Sequence, residues 1–257
     1  MGGNQSLPAP GGRVGAGAAH ELPGNTHIVS SLNGAGTIRL SNNASLVVGQ
    51  GPDIANGSGT FSGPIEGAGR LEKRGTQRLT LSSNSTYAGG TIIASGELRA
   101  SNPTTGSATG TGSVTVRSGA VLSGSGRISG TIIVESGGIL SPGQDYGDLD
   151  TSAVTLNAGA IYRSHVRSSN DNSGYVDAEG TVSIAGATLR ITPANGFAPA
   201  LGVVRRLLEA TQITGIFTTV EGVLIPNLTD RRFAVRYVDG AADDLVEAVV
   251  ARPGDVN

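Results

Sequence analysis

A seven-residue phrase returns along this 257-residue chain and restricts it to architectures that stack copies of one short unit. It runs apolar, any residue, small polar or Ala, Gly or Asn, small, any residue, large apolar. Residues 116–122 (VRSGAVL), 134–140 (VESGGIL) and 156–162 (LNAGAIY) carry Gly, and they start 18 and then 22 residues apart. Residues 40–46 (LSNNASL) and 81–87 (LSSNSTY) carry Asn in its place. Gly and Asn adopt positive φ most readily, so each phrase predicts a left-handed turn between two short strands. A repeat near 20 residues with one apolar strand pair per copy is the mark of a solenoid.

Strand length separates a solenoid from a sandwich. From Ile28 onward the chain reads as runs of three to five residues, such as Leu79-Thr80-Leu81, Val114-Thr115-Val116 and Ile132-Ile133-Val134, bounded by Gly, Asn or Ser. Sandwiches need longer strands with turns every 8–12 residues. The expected fold is therefore all-β, a right-handed parallel β-helix (β-solenoid) with a C-terminal antiparallel capping region. Leu122 and Leu140 should share one inward column, with Gly119 and Gly137 at equivalent turns. Leu40 and Leu81 should lie two coils apart, with Phe61 and Ile65 in the coil between them. The organisation reads as a flexible N-terminal arm (1–27), a parallel β-helix (28–200), a C-terminal β cap (201–250) and a linker stub (251–257). Residues 203–210 have some helical propensity, but their β-branched start predicts a strand.

Composition narrows the function. Gly is 41 of 257 residues and aromatics are 4%, which suits short strands, tight turns and a thin aliphatic core. A net charge of −2 with 15% charged residues predicts no nucleic-acid partner. No apolar run reaches membrane-spanning length, so no membrane insertion of this segment is expected. With no Cys, disulfides, thiolate metal sites and Cys nucleophiles are excluded. The opening residues lack a basic stretch followed by an apolar one, so no signal peptide is expected there.

Residues 67–75 (GAGRLEKRG), Leu79-Thr80-Leu81, residues 84–91 (NSTYAGGT) and Gly96-Glu97-Leu98 resemble the autotransporter-associated β-strand repeat. Ser85 intrudes between Asn84 and Thr86, and Arg78 stands where Gly or Thr is usual. With the segments around residues 124–128, 141–143 and 182–220, the resemblance covers about residues 34 to 220. It implies a parallel β-helix in an extracellular or bacterial cell-surface protein. It implies no single activity, because such repeats are scaffolds. The last five residues, PGDVN, are similar to the start of a dockerin-type calcium loop.

Catalysis needs converging acids, bases or nucleophiles, and the chain offers few. His20 and His27 lie in or beside the arm, and His165 reads as a surface or edge-strand residue. Asp145, Asp148 and Asp150 form the best carboxylate cluster and are weak calcium candidates, since their order and the lack of a bidentate Glu do not match an EF-hand. A solvated loop is the plainer reading, so no metal and no cofactor are expected. Asp239, Asp243 and Asp244 read as hairpin-turn residues, whereas Asp171 and Asp177 flank Tyr175 and suggest a sugar groove. The expected function is a noncatalytic extracellular structural or adhesive β-helix: a stalk, adhesin passenger or surface-layer element. A surface glycan or protein would be its ligand, presented by loops 144–150 and 167–174. The alternatives are a carbohydrate-binding or carbohydrate-active β-helix and a filament subunit that self-associates through the solenoid ends.

Overall fold

The computed structural model describes residues 11–14, 16–50, 59–103, 105–143, 147–167, 174–194 and 196–255. Short runs with apolar residues at alternate positions turn one row inward, and a corner after each run redirects the chain. The result is a stack of coils with three faces. Face 1 stacks β1 (Gly11–Val14), β4 (Ser31–Gly34), β7 (Gly59–Phe61), β10 (Arg78–Leu81) and β12 (Glu97–Ala100). It continues through β14 (Val121–Gly124), β17 (Ile139–Pro142), β20 (Ile161–Val166), β22 (Thr188–Pro193) and β24 (Thr219–Glu221). Face 2 holds β2 (Ala19–Leu22), β5 (Thr37–Leu40) and β8 (Ile65–Gly67), then β15 (Arg127–Ile128) and β18 (Leu149–Thr151). Face 3 stacks β3 (Thr26–Val29), β6 (Ser45–Val48), β9 (Arg70–Lys73), β11 (Thr91–Ile93) and β13 (Val114–Val116). Above these come β16 (Ile132–Val134), β19 (Val154–Leu156), β21 (Val176–Ser183) and β23 (Val204–Thr214). The first half of β21 pairs with β18 on face 2 and its end with β19 on face 3.

Pairing between coils is parallel and in register. Leu79, Leu98, Leu122, Leu140, Tyr162 and Leu189 form one buried inward column on face 1. Leu122 and Leu140 thus sit where the phrase placed them. Gly119, Gly137, Gly159 and Gly186 turn at φ 76, 77, 80 and 81°. Their N–H groups donate up the stack, from Gly119 to Gly137 O and from Gly137 to Gly159 O, each at 2.9 Å.

Three expectations are corrected. The phrase marks corners in general, not one corner: residues 116–122 join face 3 to face 1, residues 40–46 join β5 to β6, and residues 81–87 follow β10. Leu40 accordingly pairs with Leu22 and Gly67, whereas Leu81 pairs with Phe61 and Ala100, so the two leucines are not equivalent. Asn serves such corners in two ways, by tolerating positive φ or by tying the chain with its side chain. Asn43 uses the first solution (φ 59°), while Asn84 has no positive φ and accepts at its Oδ1 a hydrogen bond from Asn102 Nδ2 at 2.8 Å.

The stretch 11–27, read as part of a flexible arm, contributes β1, β2 and the start of β3, which pair with β4, β5 and β6. A coil needs few inward residues, here Leu22 and Val29, so a Gly- and Ala-rich stretch still forms one. At the other end the parallel stack runs past residue 200, because β23 pairs with β21 and β24 with β22. The antiparallel cap follows. β26 (Asp244–Ala251) pairs with β23, and β25 (Arg232–Val238) pairs with β26. The strand expected over residues 203–210 is the first part of β23.

Candidate functional site

Three polar residues of the repeat motif, Lys73, Tyr87 and Thr91, point inward and hold corners. Lys73 takes the inward place that Val48 and Ile93 fill on adjacent coils and is fully buried. Its Nζ donates to the carbonyls of Arg74 (2.5 Å), Gly75 (3.1 Å) and Ser95 (3.3 Å), which uses all three ammonium protons. Burial pulls its pKa down to about 8, against the opposing pull of Glu97. Tyr87 is fully buried with its Oη 2.5 Å from Thr91 Oγ1, and burial raises its phenol well above the usual range. Between them Gly89 lies so close to the preceding coil that a Cβ there would stand 2.6 Å from Gly69 O.

The outward side of face 2 carries the candidate carboxylates. Arg127, Asp150, Asp177 and Glu209 stand in register on successive coils, one rung of about 4.8 Å apart. Arg127 holds Glu179 at 2.5 Å, and Arg206 bonds Glu209 while lying 5.1 Å from the Tyr175 ring centre. Asp148 turns to Tyr175, whose backbone N–H and hydroxyl donate to it; burial, with help from Asp150 and Asp177, still raises its pKa. Burial also raises Asp150, with Asp177 and Glu179 adding to the effect and Arg127 opposing it.

Of the calcium candidates, Asp145 lies outside the described residues, as does Asp171 of the sugar-groove reading. Asp150 lies on the acidic column and Asp148 just before β18 beside it. Among the described residues, no group of three or more His, Asp or Glu side chains is placed to hold a metal ion. Tyr175 and Asp177 do reach the same surface. Asp244 caps the hairpin turn and the neighbouring strand, accepting from Gly240 N at 3.3 Å and Ile213 N at 2.8 Å. Asp255 folds back to donate its N–H to Arg252 O at 3.1 Å, and Asn257 of the calcium-loop resemblance lies outside the described residues.

His20 is nearly buried in the first coil, and His27 Nε2 lies 2.9 Å from Pro23 O. His165 sits in the second half of β20, where it pairs with Thr192 of β22, while the register with β17 covers only Ile161 and Tyr162, in keeping with an edge position. Burial, then Arg163 and Arg167, lower its pKa. Sequence reasoning missed Arg99, Arg163 and Arg190, which lie far apart in the chain and are brought onto one outward line of face 1 by the stacking. Only the coil register could have revealed them.

Residues 71–100, from β9 through β12, match the family model described as the passenger-associated-transport-repeat. Over 136 residues, 53% of this chain, the sequence is 31% identical to the adhesin BmaC autotransporter of Brucella suis biovar 1 (strain 1330). The chain spans 3% of that relative's length. It therefore contains an autotransporter passenger repeat and is distantly related to an autotransporter adhesin. Such repeats imply a secreted or surface location.

Proposed function

We propose that this chain is a noncatalytic stretch of a bacterial surface-displayed passenger, in which the coil stack supplies length and stiffness and the outward faces engage a ligand. The observation that carries this reading is the inward use of the motif's chemistry. Lys73, Tyr87 and Thr91 of the matched repeat are buried and consumed in holding the corners. The kinship with an adhesin points to attachment as the task of the outward faces.

The test coats beads with the purified chain and measures attachment to epithelial cells and to extracellular-matrix layers, alongside reducing ends released from a polysaccharide panel. Attachment above that of albumin-coated beads without released ends is expected. Depolymerisation that disappears in Asp177→Asn would replace this reading with an enzymatic one.

A further inference from the structure

The outward side of face 1 is chemically unlike the others. Leu140 and Tyr162 point inward, so alternation turns Ser141 and Arg163 to the other side of the sheet, where Ser141 is covered and Arg163 is half-buried. Arg99, Ser123 and Ser141 follow one another in register on successive coils, and Arg163, Arg190 and Glu221 do so on the coils above. His165, one outward position further along β20, faces Thr192 of the next coil. With Arg167, they line a shallow depression of about 360 Å³. Two buried atoms here have no hydrogen-bond partner: Ser141 Oγ, on a residue 1% exposed, and His165 Nε2.

The charges on this line do not balance. Arg190 pairs with Glu221 at 2.6 Å, and Arg78 pairs with Glu97 at 2.9 Å. Arg163 lies beside Arg190, and burial, then that neighbour, lower its pKa, with Glu97 the opposing influence. Two guanidinium groups on adjacent rungs about 4.8 Å apart, Arg163 and Arg190, suit an extended polymer with repeating anions. The half-buried hydroxyls of Thr188 and Thr192 beside them suit a partner rich in hydroxyl groups. Nucleic acid fits less well: the outward positions of β12, β14, β17, β20, β22 and β24 carry no Phe, Tyr or Trp on which bases could stack.

We propose that this line binds an acidic polysaccharide, with its carboxylate or sulfate groups on Arg163 and Arg190 and its hydroxyls on Thr188 and Thr192 beside them. The proposal rests on the adhesive reading and gives it a ligand class and a site. The test measures binding of the full chain to immobilised heparin (sulfated), hyaluronan (carboxylated only), neutral dextran and poly(dT), at low and high salt. Salt-sensitive binding to heparin or hyaluronan is expected, with dextran inert; which of the two binds distinguishes sulfate from carboxylate. Arg163→Gln with Arg190→Gln should weaken that binding about tenfold or more, while Arg236→Gln on the cap leaves it unchanged. If the double variant melts below wild type, thermal shift replaces direct binding. The polysaccharide should then raise the Tm of wild type but not of Arg163→Gln alone. No binding to either acidic polysaccharide, binding indifferent to the double substitution, or tighter binding to poly(dT) overturns the proposal. Cell attachment that persists in the double variant overturns this site and leaves the adhesive reading standing. Wild-type protein that fails to attach at all removes the adhesive reading itself.

Discussion

Lys73 shows how much of this fold rests on single corner residues. A charged side chain occupies a column otherwise given to Val48, Ile93 and Val116, and it is tolerated because three carbonyls surround its Nζ. Its folded pKa is about 8, below the ordinary 10.5, so the unfolded chain binds the extra proton between those values. Stability attributable to Lys73 therefore rises as pH climbs through that window and is lost as pH falls through about 8. Against Lys73→Met, wild type should gain up to about 3 kcal/mol across the window, read by urea unfolding at each pH. A difference that stays flat would mean the ammonium is not desolvated. The corner glycines make a separate case. A Cβ at Gly119 meets nothing within 4 Å, so Gly119→Ala isolates the backbone cost of positive φ, about 1–2 kcal/mol. At Gly137 the added Cβ would stand 2.5 Å from Ser118 Oγ, a hydroxyl able to rotate away, so Gly137→Ala should cost about the same.

At the scale of strands, each coil's worth lies in what it stacks upon. Leu122 is fully buried between Leu98 and Leu140, and Leu122→Ala should cost roughly 2–5 kcal/mol in chemical denaturation, since neighbouring coils limit collapse into the cavity. The same in-register stacking works against like charges. Asp150 and Asp177 lie on adjacent rungs, and Asp150 is held above its ordinary pKa by burial and then by Asp177. A raised folded pKa means stability is present at low pH and lost as pH rises through it. Asp150→Asn should accordingly stabilise the protein at neutral pH by about 0.5 kcal/mol, with the gain fading in acid where wild type is protonated. A Tm unchanged at neutral pH would show that Arg127 already neutralises the pair. Register also explains which features could be read from the chain. The 18-residue step from Leu122 to Leu140 is legible because that coil is short, with three brief strands and three tight corners. Leu40 and Leu81 were misaligned because all corners draw on the same few residue types. The line of Arg99, Arg163 and Arg190 was illegible: outward residues carry no periodic apolar signal, and the coils between them differ in length. Asp148 and Asp150 were visible as a local cluster, but their partners Tyr175, Asp177 and Arg127 arrive from other coils.

For the molecule as a whole, each coil contacts its neighbours, so an end must be closed or it remains a template for further strands. The C-terminal closure is built from β25 and β26. β26 runs antiparallel to β23 and buries Val246, Ala248 and Val250, while Phe233 of β25 stacks on Phe197 with ring centres 6.3 Å apart. Arg236 pairs with Glu247 at 2.5 Å on the outer hairpin, which puts charge beside the last strand edge. Inside, Tyr162 donates its hydroxyl proton to Leu207 O and accepts from Val176 N at 3.2 Å, which fastens the final parallel coils to one another without help from the hairpin. The stack below should therefore survive loss of the hairpin, whereas its end should become adhesive to other copies. Deleting residues 222–255 strips the antiparallel partner from β23 and uncovers the apolar surface around Leu207, Leu208 and Phe197. We expect retained β-sheet circular dichroism together with self-association that grows with concentration in analytical ultracentrifugation, where the full chain sediments as a monomer. A truncated chain that stays folded and monomeric would mean that the edge of β23 is protected by something other than the hairpin. A full chain that already forms filaments would move the closure argument to subunit joining, with the hairpin as part of the joint.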